Sequence, residues 1–378
     1  MEYRSFGSLD WTSSALGFGC MRFPTGNGDS GAIQEGRAAD MLHYAIDHGV
    51  NYLDTAYPYH QGESEPFLGR TLQGRYREKV RLATKLPCWK VEKKSDFDPL
   101  LGEQLDRLQT ERLDFYLLHA LNEKSWKKME GLGVLSWLEK AQSDGRIGWI
   151  GFSFHDAYPV FKNIVDAYQG WDFCQIQYNY MDIDYQAGRK GLHYASDRGL
   201  GVVIMEPLRG GRLVNPPREV EKIWQNSSRR LSPAAWGLHW LWDQPQVSLV
   251  LSGMSEMSHV RENVQAAASS EIGKLNPDDQ QVIQKVRETY RSLATIPCTG
   301  CEYCLPCPEG LNIPKILEIY NDALMYDKLD YGKGQYLRII PEGERAEDCQ
   351  ACGECEENCP QGIRISDWMT RISKEYSA

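Results

Sequence analysis

Short apolar runs alternate with segments of helical periodicity through the first 255 residues, and this alternation constrains the fold most strongly. Each run has four to eight residues and is rich in β-branched and aromatic types, as buried strands are. Segments between the runs, such as GRAADMLHYAIDHGV (36–50), place apolar residues on one helical face. The runs are LGFG (16–19), NYLDTA (51–56), VRLATK (80–85), LDFYLLH (113–119), IGWIGFS (147–153), FCQIQYN (173–179), LGVVIMEP (200–207) and VSLVLSG (247–253).

Strand and helix alternating eight times predict a parallel sheet, and eight such units favour a closed (β/α)8 TIM barrel, an α/β fold. An open doubly wound sheet is the alternative. Against it, no G-x-G-x-x-G segment follows the first strand, as a dinucleotide-binding sheet of that type requires. Residues 1–14 precede the first barrel strand, and we expect them to form a hairpin that closes the barrel floor.

The chain of 378 residues exceeds one ordinary domain. We predict a barrel at 1–275, a helical linker at 276–295, and a small α-rich domain at 296–378. The net charge of -10 is concentrated in that last segment, which has 8 Lys/Arg against 15 Asp/Glu. So acidic a chain is not expected to bind nucleic acid or an anionic membrane. A cytoplasmic location is predicted, since no secretory signal or apolar run of 18 residues is present.

Eight of the eleven cysteines fall in the last 81 residues, in two runs that each end before a proline. The second spacing, C-x2-C-x2-C-x3-C-P, is that of bacterial two-cluster ferredoxins, and the first run is one residue shorter. A disulfide framework would need an oxidising compartment, and structural zinc usually takes C-x2-C pairs with a longer spacer. The pattern therefore predicts two [4Fe-4S] clusters. The thiols are Cys298, Cys301, Cys304 and Cys307, then Cys349, Cys352, Cys355 and Cys359.

The resemblance to two-cluster ferredoxins also implies how the thiols are shared. In those proteins the fourth cysteine of each run ligates the other cluster. Carried over, one cluster takes Cys298, Cys301, Cys304 and Cys359, and the other takes Cys349, Cys352, Cys355 and Cys307.

Polar residues stand at the ends of the predicted barrel strands. Any one of them alone is explained as a helix cap or a satisfied near-core residue. Because the chemistry of a TIM barrel lies at the C-terminal ends of its strands, an acid, an amine and an imidazole converging there favour an active site. The residues are Asp54, Lys85, His119, Ser153, Gln175, Glu206 and Ser252.

The segments LDTAYPYHQGESE, LATKLP and DFYLLHAL resemble the catalytic segments of the aldo-keto reductases. GFSFH, QIQYNYMD and MEPLRGGRL resemble that family's cofactor-side segments in the same order. The resemblance implies a NAD(P)H-dependent oxidoreductase that reduces a carbonyl or oxidises an alcohol. It also implies a catalytic tetrad of Asp54, Tyr59, Lys85 and His119. Tyr57 lies close by, and residue chemistry does not choose between the tyrosines; the family's five-residue spacing after the aspartate selects Tyr59.

The tetrad suits carbonyl reduction, which needs a hydride on carbon and a proton on oxygen. A free tyrosine has a pKa near 10, too high for an efficient acid at neutral pH. Lys85 is expected to lower the pKa of Tyr59, Asp54 to keep Lys85 charged, and His119 to orient the carbonyl oxygen.

By the same resemblance, fifteen residues contact the nucleotide. In two places the chain departs from the family: Phe154 follows the serine where Asn is common, and Gly253 and Ser255 stand where NADP-dependent members carry Lys or Arg. NADPH and NADH both remain candidates, with Arg22 or Arg261 as substitute cations. No motif indicates FMN, although a barrel's phosphate pocket can hold it. The residues are Gly19, Cys20, Met21, Ser153, His155, Gln175, Pro207, Leu208, Gly210, Gly211, Ser252, Gly253, Ser255, Glu262 and Asn263.

The whole pattern is similar to the iron-sulfur branch of the aldo-keto reductases, with the tail serving electron transfer or redox sensing. One alternative is a relay between a barrel-bound nicotinamide or flavin and an external ferredoxin or flavoprotein. Another is a non-catalytic nucleotide-binding sensor, which the presence of all four tetrad residues disfavours. The substrate is expected to be a small carbonyl or alcohol, and aromatic candidates for its pocket are Trp89, Trp126 and Tyr180.

Overall fold

The computed structural model of the protein describes residues 1–26, 31–298 and 300–377. Within these ranges, eight parallel strands (β3–β10) close a barrel, each pairing with the next along the chain and the last with the first. All eight predicted strands and the closed barrel are confirmed, and the open sheet is excluded. The strands are β1 (Tyr3–Ser5), β2 (Thr12–Ser14), β3 (Leu16–Gly19), β4 (Tyr52–Asp54), β5 (Arg81–Leu86), β6 (Leu113–Leu121), β7 (Ile147–Phe154), β8 (Phe173–Gln177), β9 (Gly201–Met205) and β10 (Leu249–Gly253).

Helices follow the strands in alternation and continue beyond the barrel. They are α1 (Glu35–Asp47), α2 (Ser64–Thr71), α3 (Arg75–Lys79), α4 (Phe97–Arg107), α5 (Glu123–Gly131), α6 (Val134–Ser143), α7 (Tyr158–Ala167), α8 (Gly188–Ser196), α9 (Arg218–Gln225), α10 (Pro233–Trp242), α11 (Met257–Ala267), α12 (Pro277–Ser292), α13 (Ile313–Met325), α14 (Leu329–Ile339), α15 (Glu354–Glu357) and α16 (Ile365–Ser377). In the described part of the chain, no helix is both long and apolar enough to cross a membrane.

The predicted N-terminal hairpin is present as the antiparallel pair β1 and β2. Phe6, between these strands, is buried, and its ring lies 5.2 Å from that of Phe115 inside the barrel. Gly201 makes room for it, because a Cβ there would come within 2.4 Å of the Phe6 ring. Arg4 donates hydrogen bonds to the carbonyls of Trp242, Ser270 (2.5 Å) and Val247 (3.1 Å). The hairpin therefore closes the floor through aromatic packing and a buried guanidinium.

The strand register brings the predicted site residues to one end of the barrel. Gly19 is paired with Asp54 on one side and Gly253 on the other, and Ser153 is paired with Gln175. Since all eight strands are parallel, their C-terminal residues meet at a single mouth.

The chain divides into two compact units. One is Met1–Gly211 with Leu231–Asn276, and the other is Arg212–Arg230 with the residues from Pro277 onward. This division differs from the sequence-based boundaries, which placed 212–230 in the barrel and treated 276–295 as a linker. Within the second unit, α9 packs against α12, and Arg229 and Asp279 form an ion pair of 2.8 Å. Such contacts join residues too distant in sequence for local periodicity to reveal them.

The second unit has its own apolar core beside the cysteine runs. It contains Ile316, Tyr320 and Met369 from α13 and α16, each buried. Between the cysteine runs the chain forms α13, and α14 follows it.

Candidate active site and cysteine-lined cavities

A buried ion pair lies at the mouth of the barrel. Lys85 Nζ, at the end of β5, donates to Asp54 Oδ1 at 2.7 Å and to the carbonyl of Thr55 at 2.8 Å. The two side chains are only 1% and 3% exposed. Burial opposes the charge on Lys85, but Asp54 and Tyr59 together outweigh it and raise the pKa of the ammonium above its usual value. Lys85 therefore stays protonated at neutral pH.

The two tyrosines after β4 have separate partners. The Tyr59 ring lies 5.1 Å from Lys85 Nζ, and its hydroxyl interacts with that ammonium. Tyr57 instead donates to Glu103 at 3.1 Å and accepts from Lys90 at 3.0 Å. The structure thus brings Tyr59, and not Tyr57, to the buried pair.

The pKa of Tyr59 differs from the sequence-based expectation. Burial raises the pKa of its phenol above the usual value, and the positive charge of Lys85 offsets only part of that increase. Lys85 thus acts in the expected direction, but the pKa is raised on balance, because desolvation of the phenolate outweighs one neighbouring cation.

His119 completes the group of four. Its ring stands edge-on to Tyr59, with 6.2 Å between centroids, and lies 5.1 Å from the ring of Trp89. Burial lowers the pKa of His119 well below its usual value, and the charge of Lys85 lowers it further. The imidazole is therefore neutral at physiological pH. Its Nδ1 is buried and has no hydrogen-bond partner within the described ranges.

The three aromatic candidates for the substrate pocket differ in their exposure. Trp89 is 51% exposed beside His119, as a residue of a pocket wall would be. Trp126 is buried, with its ring 6.2 Å from that of Trp171, and Tyr180 is fully buried.

The sequence did not predict a buried polar network that lies next to Lys85. Glu65, fully buried on α2, accepts from Thr84 Oγ1 and Gln104 Nε2, both at 2.6 Å. Gln104 also donates to the carbonyl of Lys85 at 3.0 Å, and Tyr116 donates to Gln104. The network fixes the end of β5. A glutamate beside an apolar helical stretch gives no sequence signal for such a role.

The residues predicted to hold the nicotinamide side lie on neighbouring strands. Ser153 Oγ accepts from the amide of Ala120 at 2.7 Å, which leaves its hydroxyl proton available. Gln175 is 2% exposed, and its Oε1 lacks a hydrogen-bond partner among the described residues. His155 is exposed just beyond β7, and its amide donates to Leu121. An amide ligand could therefore bind between a hydroxyl donor and an unpaired carbonyl acceptor.

The loop after β9 has unusual backbone geometry. Glu206, Arg209, Gly210 and Gly211 all have positive φ, at 51°, 52°, 67° and 93°. Successive residues of this kind turn amides outward, as anion-binding loops do. Pro207 is buried and Leu208 half-buried, so this short loop is packed at its start.

At the predicted adenosine end, two contacts join the helix α11 to its surroundings. Asn263 Nδ2 donates to Ser252 Oγ at 3.0 Å, and Glu262 accepts a hydrogen bond from Ser232 at the start of α10. Arg22 covers Gly253, because a Cβ there would lie 3.0 Å from the Arg22 side chain. Ser255, by contrast, is only half-buried. The aliphatic part of the Arg22 side chain thus lies beside the exposed Gly253.

The first strand contributes the remaining predicted nucleotide residues. Gly19 ends β3, Cys20 is fully buried and Met21 is 57% exposed. Burial raises the pKa of the Cys20 thiol well above its usual value, so the thiol is neutral. Cys88 and Cys174 are also buried.

The eight C-terminal thiols line two cavities. One, of about 270 Å³, is lined by the last two cysteines of the first run and the first three of the second: Cys304, Cys307, Cys349, Cys352 and Cys355. The other is lined by Cys298, Cys301, Cys304 and Cys359. Apart from Cys304, which borders both, these are the two sets that the ferredoxin resemblance implies. In the described ranges, no three Cys, His, Asp or Glu side chains converge as the ligands of one metal ion would.

The two cysteine runs share a backbone pattern despite their different spacing. Left-handed residues stand two and four positions after the first cysteine of each run: Gly300 and Glu302, then Ala351 and Gly353. A glycine three positions after the last cysteine donates its amide to that cysteine's carbonyl in both runs, at 2.9 Å (Gly310) and 3.0 Å (Gly362). Such turns direct amides toward sulfur, as the contact from Ala351 N to Cys349 Sγ at 3.4 Å illustrates. Both loops therefore suit an iron-sulfur cluster.

A (β/α)8 barrel with a carboxylate, an ammonium, a phenol and an imidazole at its mouth is the arrangement of a TIM-barrel oxidoreductase. Residues 15–288 match the Aldo/keto reductase family, and residues 297–363 match the 4Fe-4S dicluster domain. The chain therefore belongs to the aldo/keto reductase family and carries a C-terminal iron-sulfur domain.

Relatives and solved structures agree with this assignment. The chain is 25% identical over 327 residues to an uncharacterized oxidoreductase, YqkF, of Bacillus subtilis, covering 76% of this chain and 100% of that protein. It is 26% identical over 324 residues to L-galactose dehydrogenase of Arabidopsis thaliana, covering 78% and 96%. The holo form of aldo-keto reductase AKR11C1 from Bacillus halodurans gives a TM-score of 0.62 at 25% identity, covering 76% and 96%.

Proposed function

We propose that this protein reduces a small carbonyl compound with NAD(P)H, or oxidises the corresponding alcohol, at the barrel mouth. The observation that carries the proposal is the buried Lys85–Asp54 pair, 2.7 Å apart, beneath Tyr59 and His119. When bound, the nicotinamide supplies or accepts the hydride. The four side chains supply the proton chemistry and the orientation.

Tyr59 is the proposed proton donor in the reduction. Because its pKa is raised by burial, the phenol is protonated at neutral pH. As the phenol gives its proton to the carbonyl oxygen, the developing phenolate is stabilised by the ammonium of Lys85, which Asp54 holds in place. In the reverse direction, the same ammonium favours Tyr59 as a base.

His119 is the proposed orienting group. A neutral imidazole carries one N–H, which is proposed to be on Nε2, and the His119 ring stands edge-on to the ring of Tyr59. In that tautomer Nε2–H donates to the carbonyl oxygen and holds it within reach of the Tyr59 hydroxyl.

The nucleotide residues are proposed in the same positions as the sequence predicts. Ser153 would donate to the carboxamide oxygen, and the unpaired Oε1 of Gln175 would accept from its NH2 group. The loop Pro207–Gly211 would hold the pyrophosphate. Gly253, Arg22 and Asn263 would face the adenosine, where the Arg22 guanidinium supports a 2′-phosphate and hence NADPH.

For the C-terminal domain we propose two [4Fe-4S] clusters. One is held by Cys298, Cys301, Cys304 and Cys359, and the other by Cys349, Cys352, Cys355 and Cys307, a division supported by the lining of the two cavities. Cys301 and Cys352 are exposed, one in each set. Solvent-facing thiolates favour one-electron exchange with an external ferredoxin or flavoprotein.

The test of the barrel chemistry compares two tyrosine variants in anaerobically purified protein. Tyr59→Phe should lower kcat for reduction of small aldehydes by roughly 10²–10⁴-fold, because it removes the general acid. Tyr57→Phe should retain most of the activity, since that hydroxyl pairs with Glu103. Full turnover by Tyr59→Phe would refute the assignment.

A further inference from the structure

We propose that His60 is a positioning residue that holds the turn carrying Tyr59. The inference rests on the proposed role of Tyr59 as the proton donor. The turn Tyr59–Gly62 is irregular: His60 (φ 53°, ψ 44°) and Gln61 (φ 56°, ψ 27°) are both left-handed. Two consecutive non-glycine residues in this conformation are disfavoured, so the local sequence does not by itself select this turn.

The His60 side chain holds the turn through a hydrogen bond and through packing of its ring. It is 8% exposed, and its Nε2 accepts a hydrogen bond from the amide of Phe23 at 3.1 Å. Its ring also packs 5.6 Å from the ring of Phe23, which in turn contacts Phe67 on α2 at 4.9 Å. An Nε2 that accepts from an amide carries no proton, so the imidazole is neutral with its proton on Nδ1.

The chain just before Phe23 makes its own hydrogen bonds to neighbouring elements. The amide of Cys20 donates to the carbonyl of Asp54 at 2.8 Å, and Ser64 Oγ donates to the carbonyl of Cys20 at 3.1 Å. The chain before Phe23 is therefore held to β4 and α2 by hydrogen bonds that do not involve His60. Loss of the His60 contact should displace Tyr59 relative to Lys85 and leave the loop in place.

Glycine would adopt the left-handed conformation at position 60 more readily than histidine does. The imidazole is thus explained by the hydrogen bond that it makes, and not by the needs of the backbone. His60→Gly therefore removes the hydrogen bond of the side chain and at the same time relieves the strain of the left-handed backbone.

The experiment uses the full-length, cluster-containing protein with benzaldehyde as the substrate and NADPH as the reductant. His60→Gly should lower kcat by roughly 100-fold, the effect expected when a reacting group shifts by about an ångström. The KM for benzaldehyde and the Kd for NADPH, from its fluorescence, should change by less than about twofold, since neither binding site has lost a contact. His60→Gln, which keeps a hydrogen-bond acceptor, should have a kcat about tenfold higher than that of His60→Gly. His48→Gln, at an exposed histidine, is the matched control for the substitution.

The outcomes separate a failure of this inference from a failure of the proposed function. If His60→Gly turns over like the unmodified protein while Tyr59→Phe is inactive, this inference is wrong and the proposed function stands. The inference also fails if His60→Gln is no better than His60→Gly, because the acceptor then has no part in catalysis. If Tyr59→Phe is fully active, the proposed function fails instead. Should His60→Gly not fold, the His60→Gln comparison decides, and a wild-type KM with a reduced kcat supports positioning.

Discussion

The Lys85–Asp54 pair should be the most sensitive single interaction in the barrel. Lys85→Met leaves the Asp54 carboxylate buried without the ammonium that now lies 2.7 Å away. Removing one partner of a buried pair costs about 3–5 kcal/mol, because the remaining charge is uncompensated. For a domain of this size, each kcal/mol lowers Tm by about 2–4 °C, so a decrease of roughly 6–20 °C is expected.

The chain offers a matched control for burial. Lys127 and Glu123 are also 2.7 Å apart, but their side chains are 71% and 62% exposed. Lys127→Met should therefore change the free energy of unfolding by less than about 1 kcal/mol. The two substitutions remove the same chemical group at the same distance, so any difference between them reports desolvation.

The assay is anaerobic thermal unfolding followed by near-UV circular dichroism. The double variant Asp54→Asn/Lys85→Met removes both charges and should be more stable than the sum of the single changes predicts, by about 2 kcal/mol or more. A Tm for Lys85→Met within about 2 °C of the unmodified protein would refute the reasoning. Strict additivity in the double variant would do so as well.

Further predictions concern the thiols, one histidine and one arginine. Cys298→Ala/Cys359→Ala should keep about four irons, whereas Cys349→Ala/Cys359→Ala should lose nearly all of them; the reverse result would contradict the proposed division. The pKa of folded His119 is lowered, so its stabilising contribution is present above about pH 6.5 and lost as the pH falls. His119→Gln should accordingly flatten the dependence of Tm on pH between about pH 7 and 5, and an unchanged profile would count against it. Arg22→Ala should raise KM for NADPH roughly tenfold relative to that for NADH; equal changes would exclude a contact with the 2′-phosphate.

Much of the architecture follows from local pattern. Runs such as LGFG and VSLVLSG alternate with helical periodicity, and each became a barrel strand within a few residues of its predicted limits. The ends of those strands supplied Asp54, Lys85 and His119 on three consecutive strands. This success has a simple cause: period and strand order are properties of the chain itself, and a closed parallel barrel maps strand ends onto one mouth.

The supporting contacts could not be predicted in the same way. Glu65 and Gln104 lie 39 residues apart yet share a hydrogen bond behind Lys85. His60 accepts from Phe23, 37 residues earlier, and Arg22 covers Gly253 from the opposite end of the barrel sequence. None of these pairs can be read from the periodicity of the sequence, because each depends on how two segments distant in sequence pack.

The amino-acid sequence alone determined the barrel, the three polar strand ends and the two cysteine runs, since spacing along the chain carries that information. Residue chemistry did not choose between the tyrosines, and only the tertiary structure brought Tyr59, which the family resemblance selects, to Lys85 and the fourth thiols to their cavities. It also decided the sign of the Tyr59 pKa shift. The physical reason is that desolvation and proximity depend on distances in space, and side chains two residues apart can have entirely different neighbours.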